Sequence, residues 1–229
     1  MSWSDDHDAF VGEPTTSSVR IAVRPATLQL IVLGADGSVS DTLALSGQSL
    51  DESLAWVATA LASRSGSDAQ PLQLPEYEIP ASSVSGGAPF AQPDAALGEL
   101  RRWYANASAL LSDVVANRGS SPVRIWPHHF DIATLATLAS GEPDTARSIG
   151  LGMTPGDGYY AEPYLYVTPW PYPDPTNLKT IAMGHWHTDE WTGAVLPGTE
   201  LLRAPDQPSL ARDFLRTAFD AAARALEPA

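Results

Sequence analysis

Four of the five histidines fall in two short clusters, Trp126-Pro127-His128-His129-Phe130-Asp131 and His185-Trp186-His187-Thr188-Asp189-Glu190-Trp191. In a strand, residues two apart share a face. His185 and His187 would therefore present two imidazoles in one direction, and His129 and Asp131 would share another. A His-x-His pair can offer two nitrogens to one ion. A third ligand from a neighbouring strand, His129 or Asp131, would complete an open site of the catalytic kind, with Glu162 as a fourth candidate. A mixed His and carboxylate set suits Zn²⁺ or non-haem Fe²⁺ better than Mg²⁺ or Ca²⁺. In this reading His129, His185 and His187 hold the metal, and Asp131 and Glu162 are the catalytic carboxylates that work on metal-bound water. The same residues also fit a metal-free site, in which His129 or His187 exchanges protons near neutral pH. Both clusters carry tryptophan, so imidazoles packed between rings are a third, purely structural arrangement. The spacing leaves these readings open.

An aromatic wall accompanies the histidines. Trp126, Tyr159, Tyr160, Tyr164, Tyr166, Trp170, Tyr172, Trp186 and Trp191 all fall in one third of the chain. If Tyr160–Thr168 is a strand, Glu162, Tyr164, Tyr166 and Thr168 share one face, and Leu165 and Val167 the other. Amphipathic aromatic walls with a few polar groups are what small-molecule sites use. Trp126, His128, Asp157, Tyr164, Tyr166 and Trp186 are the expected ligand-binding residues. Asp157, in the turn Thr154-Pro155-Gly156-Asp157-Gly158, would line the rim. Tyrosine and tryptophan also favour strands for packing reasons alone, and the same rings could form a recognition patch of a non-catalytic interaction domain. The sequence has no G-x-S-x-G elbow and no H-E-x-x-H pair. Gly150-x-Gly152 lacks the Gly-Lys-Ser/Thr and the following helix that a phosphate loop needs.

The elements that must position these residues are readable from periodicity. Residues 1–18 are polar and acidic and read as a mobile tail. Val19–Val23 and Thr27–Leu33 read as strands. Val39–Leu45 returns after the turn at Ala35–Ser38 to make a hairpin. Leu50–Arg64 is a helix capped by Ser49. The Pro-rich segment 69–98 includes Leu72–Ile79 as an edge segment, because Pro75 lacks a strand donor. A second helix covers Asp94–Arg118. The expected strands beyond it are Val123–Leu138 (broken or bent near Pro127), Ser148–Met153, Tyr160–Thr168, Thr180–His187 and Gly193–Leu202. A closing helix covers Ser209–Leu226. Strand runs without βαβ alternation indicate an α+β fold, a mainly antiparallel sheet with about three helices packed on it. Residues 19–229 read as a single domain, with 69–98 as the alternative linker between two lobes.

Composition narrows the function classes. The 229 residues carry 13 Lys plus Arg against 27 Asp plus Glu, a net charge of −14. That balance argues against a nucleic-acid footprint and against a polybasic membrane surface. The absence of cysteine excludes a disulfide framework, a thiol nucleophile and Cys-ligated metals. The acidic N-terminus has no basic or apolar leader, which makes the cytoplasm the expected location. The expected partner is a small-molecule ligand, with no nucleic acid and no membrane.

Ser121-Pro122-Val123, Phe130-Asp131, Pro155-Gly156, Glu162-Pro163 with Tyr164 and Tyr166, and Leu196-Pro197 before a closing helix resemble a bacterial domain family of unknown function. The resemblance runs from about residue 25 to the last helix. It implies one domain that includes the Pro-rich stretch near Leu72–Pro80. It names no reaction. It implies that Asp131 and Glu162 are the better-matched polar residues and that the paired histidines at 128 and 129 belong to this branch, which counts against metal as a general feature.

Overall fold

The computed structural model describes residues 1–66, 68–73, 81–116, 119–127, 129–141 and 146–227. The fold is α+β with antiparallel sheets, and its strands divide between two of them. The chain forms two compact units, Met1–Ala105 and Asn106–Ala229. The division falls inside a helix, not in the Pro-rich segment, part of which (74–80) lies outside the described residues.

The first unit holds a five-stranded sheet in sequential order. Its strands are β1 (Ser2–Ser4), β2 (Ala9–Val11), β3 (Arg20–Arg24), β4 (Gln29–Leu33) and β5 (Val39–Ala44). Helix α1 (Leu50–Ser65) begins at a reciprocal cap, in which Ser49 and Glu52 each accept the other's backbone N–H. Strand β4 is apolar on both faces. Ile31 and Leu33 pack with Ala9, Val11 and Ala22. Val32 packs with Val19 and Ala60 of α1, and Leu30 with Leu45 and Val57 of α1. The segment 81–94 returns to this unit through the backbone of Phe90, which bonds Gly47 and Gln48.

The expected mobile tail is a correction. Residues 2–11 form two strands, and Trp3 and Phe10 are buried. Polar composition concealed three apolar residues, Ala9, Phe10 and Val11, all of which lie in the core. The Phe10 ring meets Trp3 and Tyr104 edge-on, at centroid distances of 5.3 and 4.7 Å. Tyr104 lies on α2 (Ala95–Val115), whose first turn is capped by the Asp94 carboxylate.

The second unit holds β6 (Arg124–Trp126), β7 (Asp131–Ala139), β8 (Arg147–Thr154), β9 (Tyr164–Trp170), β10 (His185–His187) and β11 (Gly193–Pro197). They pair antiparallel in the order β10-β11-β9-β8-β7-β6. Helix α3 (Gly198–Arg203) follows β11, and α4 (Gln207–Ala225) closes the chain. Asp206 caps α4 by accepting from Ser209, so the helix starts two residues before the expected Ser209.

Register separates the two faces of this sheet. Paired residues share a face, so Ile132, Met153, Leu165 and Leu196 form one row across four strands. All four are buried. Helix α4 packs against β8, β9 and β11 and buries Phe214, Leu215, Ala218 and Ala222. The next row, one residue along, is Ala133, Gly152, Tyr166, Val195 and His185. That opposite face carries the chemistry.

Three expected strands are shorter than the pattern indicated. β9 starts at Tyr164 rather than Tyr160, and β10 covers only the end of Thr180–His187. β11 stops at Pro197, where the chain turns into α3. Proline supplies no N–H, and the Gly198 N–H makes the last bond in register, to the carbonyl of Pro163. Among the described residues, no helix is long and apolar enough to cross a membrane.

Removing the Phe10 ring should cost about 3–5 kcal/mol, the usual range for a buried aromatic cut to alanine. Urea denaturation of Phe10→Ala tests this. A loss below about 1 kcal/mol would mean that the first two strands contribute no core.

Candidate functional site

The polar face of the second sheet gathers a connected set of tyrosines, carboxylates and histidines. It starts at β7, where Asp131 accepts a hydrogen bond from the Tyr166 hydroxyl at 2.9 Å. Tyr166 can reach it because position 152, its register partner on β8, is glycine. A Cβ there would lie 2.5 Å from the phenol Cζ and hydroxyl of Tyr166, closer than two such atoms can approach.

Next along β9, the Tyr164 hydroxyl donates to Asp157 at 2.7 Å. The other oxygen of Asp157 accepts the backbone N–H groups of Tyr159 and Tyr160, both at 2.9 Å. This is a side-chain turn of the kind aspartate favours. It folds residues 157–160 so that the Tyr160 ring lies 4.8 Å from that of Tyr164. The Tyr160 hydroxyl is then 2.9 Å from His185 Nε2 and 3.0 Å from His187 Nδ1.

The far end is aromatic. His187 stacks on Trp191 at 4.3 Å and meets Tyr159 edge-on at 4.9 Å. Its Nε2 lies 2.7 Å from the Asp189 carbonyl oxygen. Trp191 occupies the space over Gly193, where a Cβ would come within 2.4 Å of the indole. The Tyr159 hydroxyl donates to Glu190.

Electrostatics follow from these placements. Burial pushes the Asp131 carboxyl above its ordinary value, and the bonds from Tyr166 and Thr154 and the charge of His129 only partly offset this. The Tyr159 phenol is pushed up to about 12, first by its bond to Glu190. Burial is the largest cause of the upward shifts of Tyr160, Tyr164 and Tyr166. Asp157 adds to the first two and Asp131 to the last two. All four phenols are thus held as proton donors.

The metal expectation meets a geometric obstacle. His185 and His187 do converge, but on a tyrosine hydroxyl. Their expected third ligand sits on β7, four strand spacings from β10, a separation of about 19 Å. Among the described residues, no three His, Asp or Glu side chains form a group able to hold a metal. His129 is instead an electrostatic neighbour of Asp131, and His128 lies outside the described residues.

Other expected site residues separate. Glu162 does not join Tyr164 and Tyr166 on one strand face. Its carboxylate accepts the Thr199 N–H at 2.6 Å and the Thr199 hydroxyl at 3.0 Å. It thereby satisfies the start of α3, whose N-cap Pro197 has no side-chain donor or acceptor. Trp186 pairs with Ala194 on the opposite face from its histidine neighbours, and its indole N–H donates to the Lys179 carbonyl at 2.8 Å. Trp126 is half-exposed at the β6 edge, beside Asp131 in register. Asp131, Asp157, Tyr164 and Tyr166 do come together. Tyr160, Tyr159 and Trp191 complete the set and were not among the expected site residues. The signal for Tyr160 was Asp157 three residues before it, an Asx-turn spacing hidden by reading residue 160 as strand.

No family model, curated protein or solved structure matches this chain.

Two outcomes follow from this geometry. Gly152→Ala should cost about 1–3 kcal/mol in chemical denaturation, as overpacking does, because the Tyr166 ring must move. An unchanged midpoint would mean the ring has room. For Asp131, a raised folded-state pKa gives a stabilising contribution that is complete below the ordinary value of 3.8 and lost as pH rises through the raised value. Asp131→Asn escapes that loss. Its melting temperature relative to wild type should therefore climb between about pH 3.5 and pH 7. A pH-independent difference would show that Asp131 titrates as an ordinary carboxylate.

Proposed function

We propose that this protein is an enzyme acting on a small uncharged molecule by proton transfer, with Tyr160, His185 and His187 as its acid–base centre. One observation carries the reading: a single phenol hydroxyl held within 3.0 Å of two imidazole nitrogens. Histidine exchanges protons near neutral pH, and a phenol kept protonated is a proton donor. Exposed His185 and Tyr159 offer the approach for a ligand. Asp157, Asp189 and Glu190 around them disfavour anions. A Zn²⁺ or Fe²⁺ held by His185 Nε2 and His187 Nδ1 would have to displace Tyr160 from both nitrogens.

A chromogenic panel tests the proposal. It contains 4-nitrophenyl esters and glycosides, with 4-nitrophenyl phosphate as the anionic control. Turnover of an uncharged member should survive dialysis against EDTA. It should fall by about 10²–10⁴-fold in Tyr160→Phe, the usual contribution of a general acid or base. Turnover abolished by EDTA and kept in Tyr160→Phe would favour the metal reading. The second reading, an interaction domain, draws on Trp126 and Trp170, which are 52% and 50% exposed. Concentration-dependent sedimentation lost in Trp170→Ala, with no turnover, would favour it.

A further inference from the structure

The hydrogen bonds around Tyr160 have a direction. His187 Nε2 faces a carbonyl oxygen, which can only accept, so Nε2 carries the proton. In the neutral ring Nδ1 is then the acceptor, and the Tyr160 O–H donates to it. The Tyr160 oxygen, having spent its proton, accepts from His185 Nε2–H. His185 Nδ1 is left with its lone pair. That residue is exposed, and among the described residues its Nδ1 meets no hydrogen-bond partner.

We propose that this row is a one-way proton relay, in which His185 Nδ1 is the base that touches the substrate and His187 stores the charge. This rests on the acid–base reading of the cluster and assigns roles within it. The substrate X–H bond breaks and leaves its electron pair on X, and the proton bonds to His185 Nδ1. The Nε2 proton of His185 passes to the Tyr160 oxygen as the Tyr160 proton passes to His187 Nδ1. His185 ends neutral with its proton on Nδ1, Tyr160 ends neutral, and His187 ends as imidazolium. Tyr160 never carries charge, in keeping with the burial and the Asp157 charge that hold its hydroxyl protonated. The stored charge lies against the indole face of Trp191, 4.3 Å away, where a cation is favoured. Gly193 is a positioning residue, because a side chain there would push the indole off His187.

Nitrogen NMR of the ¹⁵N-labelled full chain reads the tautomers directly, without substrate. At a pH where both rings are neutral, both His185 and His187 should carry their proton on Nε2. In Tyr160→Phe, His187 should keep its Nε2–H, held by the Asp189 carbonyl, while His185 should relax to a mixture of tautomers. Trp191→Leu should leave both tautomers in place. His187 found as the Nδ1–H tautomer, or His185 unchanged in Tyr160→Phe, would overturn the relay. Either result would leave the turnover test of the acid–base centre standing. The expected tautomers without turnover of any panel member would sink the acid–base reading and keep the hydrogen-bond direction.

Discussion

The Tyr166 phenol occupies the space that any side chain at position 152 would fill. Much of the polar face is built outward from that contact. It sets the ring where its hydroxyl meets Asp131, four strands from the histidines, and it places the neighbouring Tyr164 to receive the turn at Asp157. Asp157 in turn fixes Tyr160 over β10. Gly193 repeats the device under Trp191. Two missing side chains therefore create room for two aromatic rings on a sheet face that would otherwise be crowded. The rings carry the polar atoms to their partners, so packing and hydrogen bonding are one constraint here.

The sheet supplies the second ingredient, which is separation. Strand alternation sends Ile132, Met153, Leu165 and Leu196 to one side and Gly152, Tyr166 and His185 to the other. An α-helix with a matching apolar stripe covers the first set. Strands β7, β8, β9 and β11 are therefore each anchored by buried neighbours one residue away. Preorganised polar groups need this kind of support.

Much of this was legible in the sequence, and the failures have physical causes. The helices at 50–65, 95–115 and 207–225 and the hairpin at 29–44 follow from periodicity and caps that act locally. The shared face of His185 and His187 follows from strand geometry. Asp131, Tyr164 and Tyr166 were recognisable as polar groups on aromatic strands. Strand order was not legible: β10 and β7 read as potential neighbours, and four strand spacings between them remove the three-ligand site. Glu162 was misplaced because the strand was extended back past Pro163. The carboxylate serves instead the start of a six-residue helix that no pattern at 198–203 announced. Trp3 and Phe10 were hidden by the acidic residues around them.

The strand order also bears on how the site comes into being. β6, β7, β8 and β9 follow one another along the chain and along the sheet, so each can pair with the strand just made. The next position is taken by β11, with β10 outside it. β10 and β11 are joined through only five residues, 188–192. They are suited to arrive as a hairpin, at low loop-closure cost, with both imidazoles already side by side. Without that hairpin at the edge of the sheet, the Tyr160 hydroxyl has neither imidazole. Both imidazoles therefore belong to one hairpin, and a chain that ends before β10 carries the tyrosines and carboxylates without the pair of bases that would set them to work.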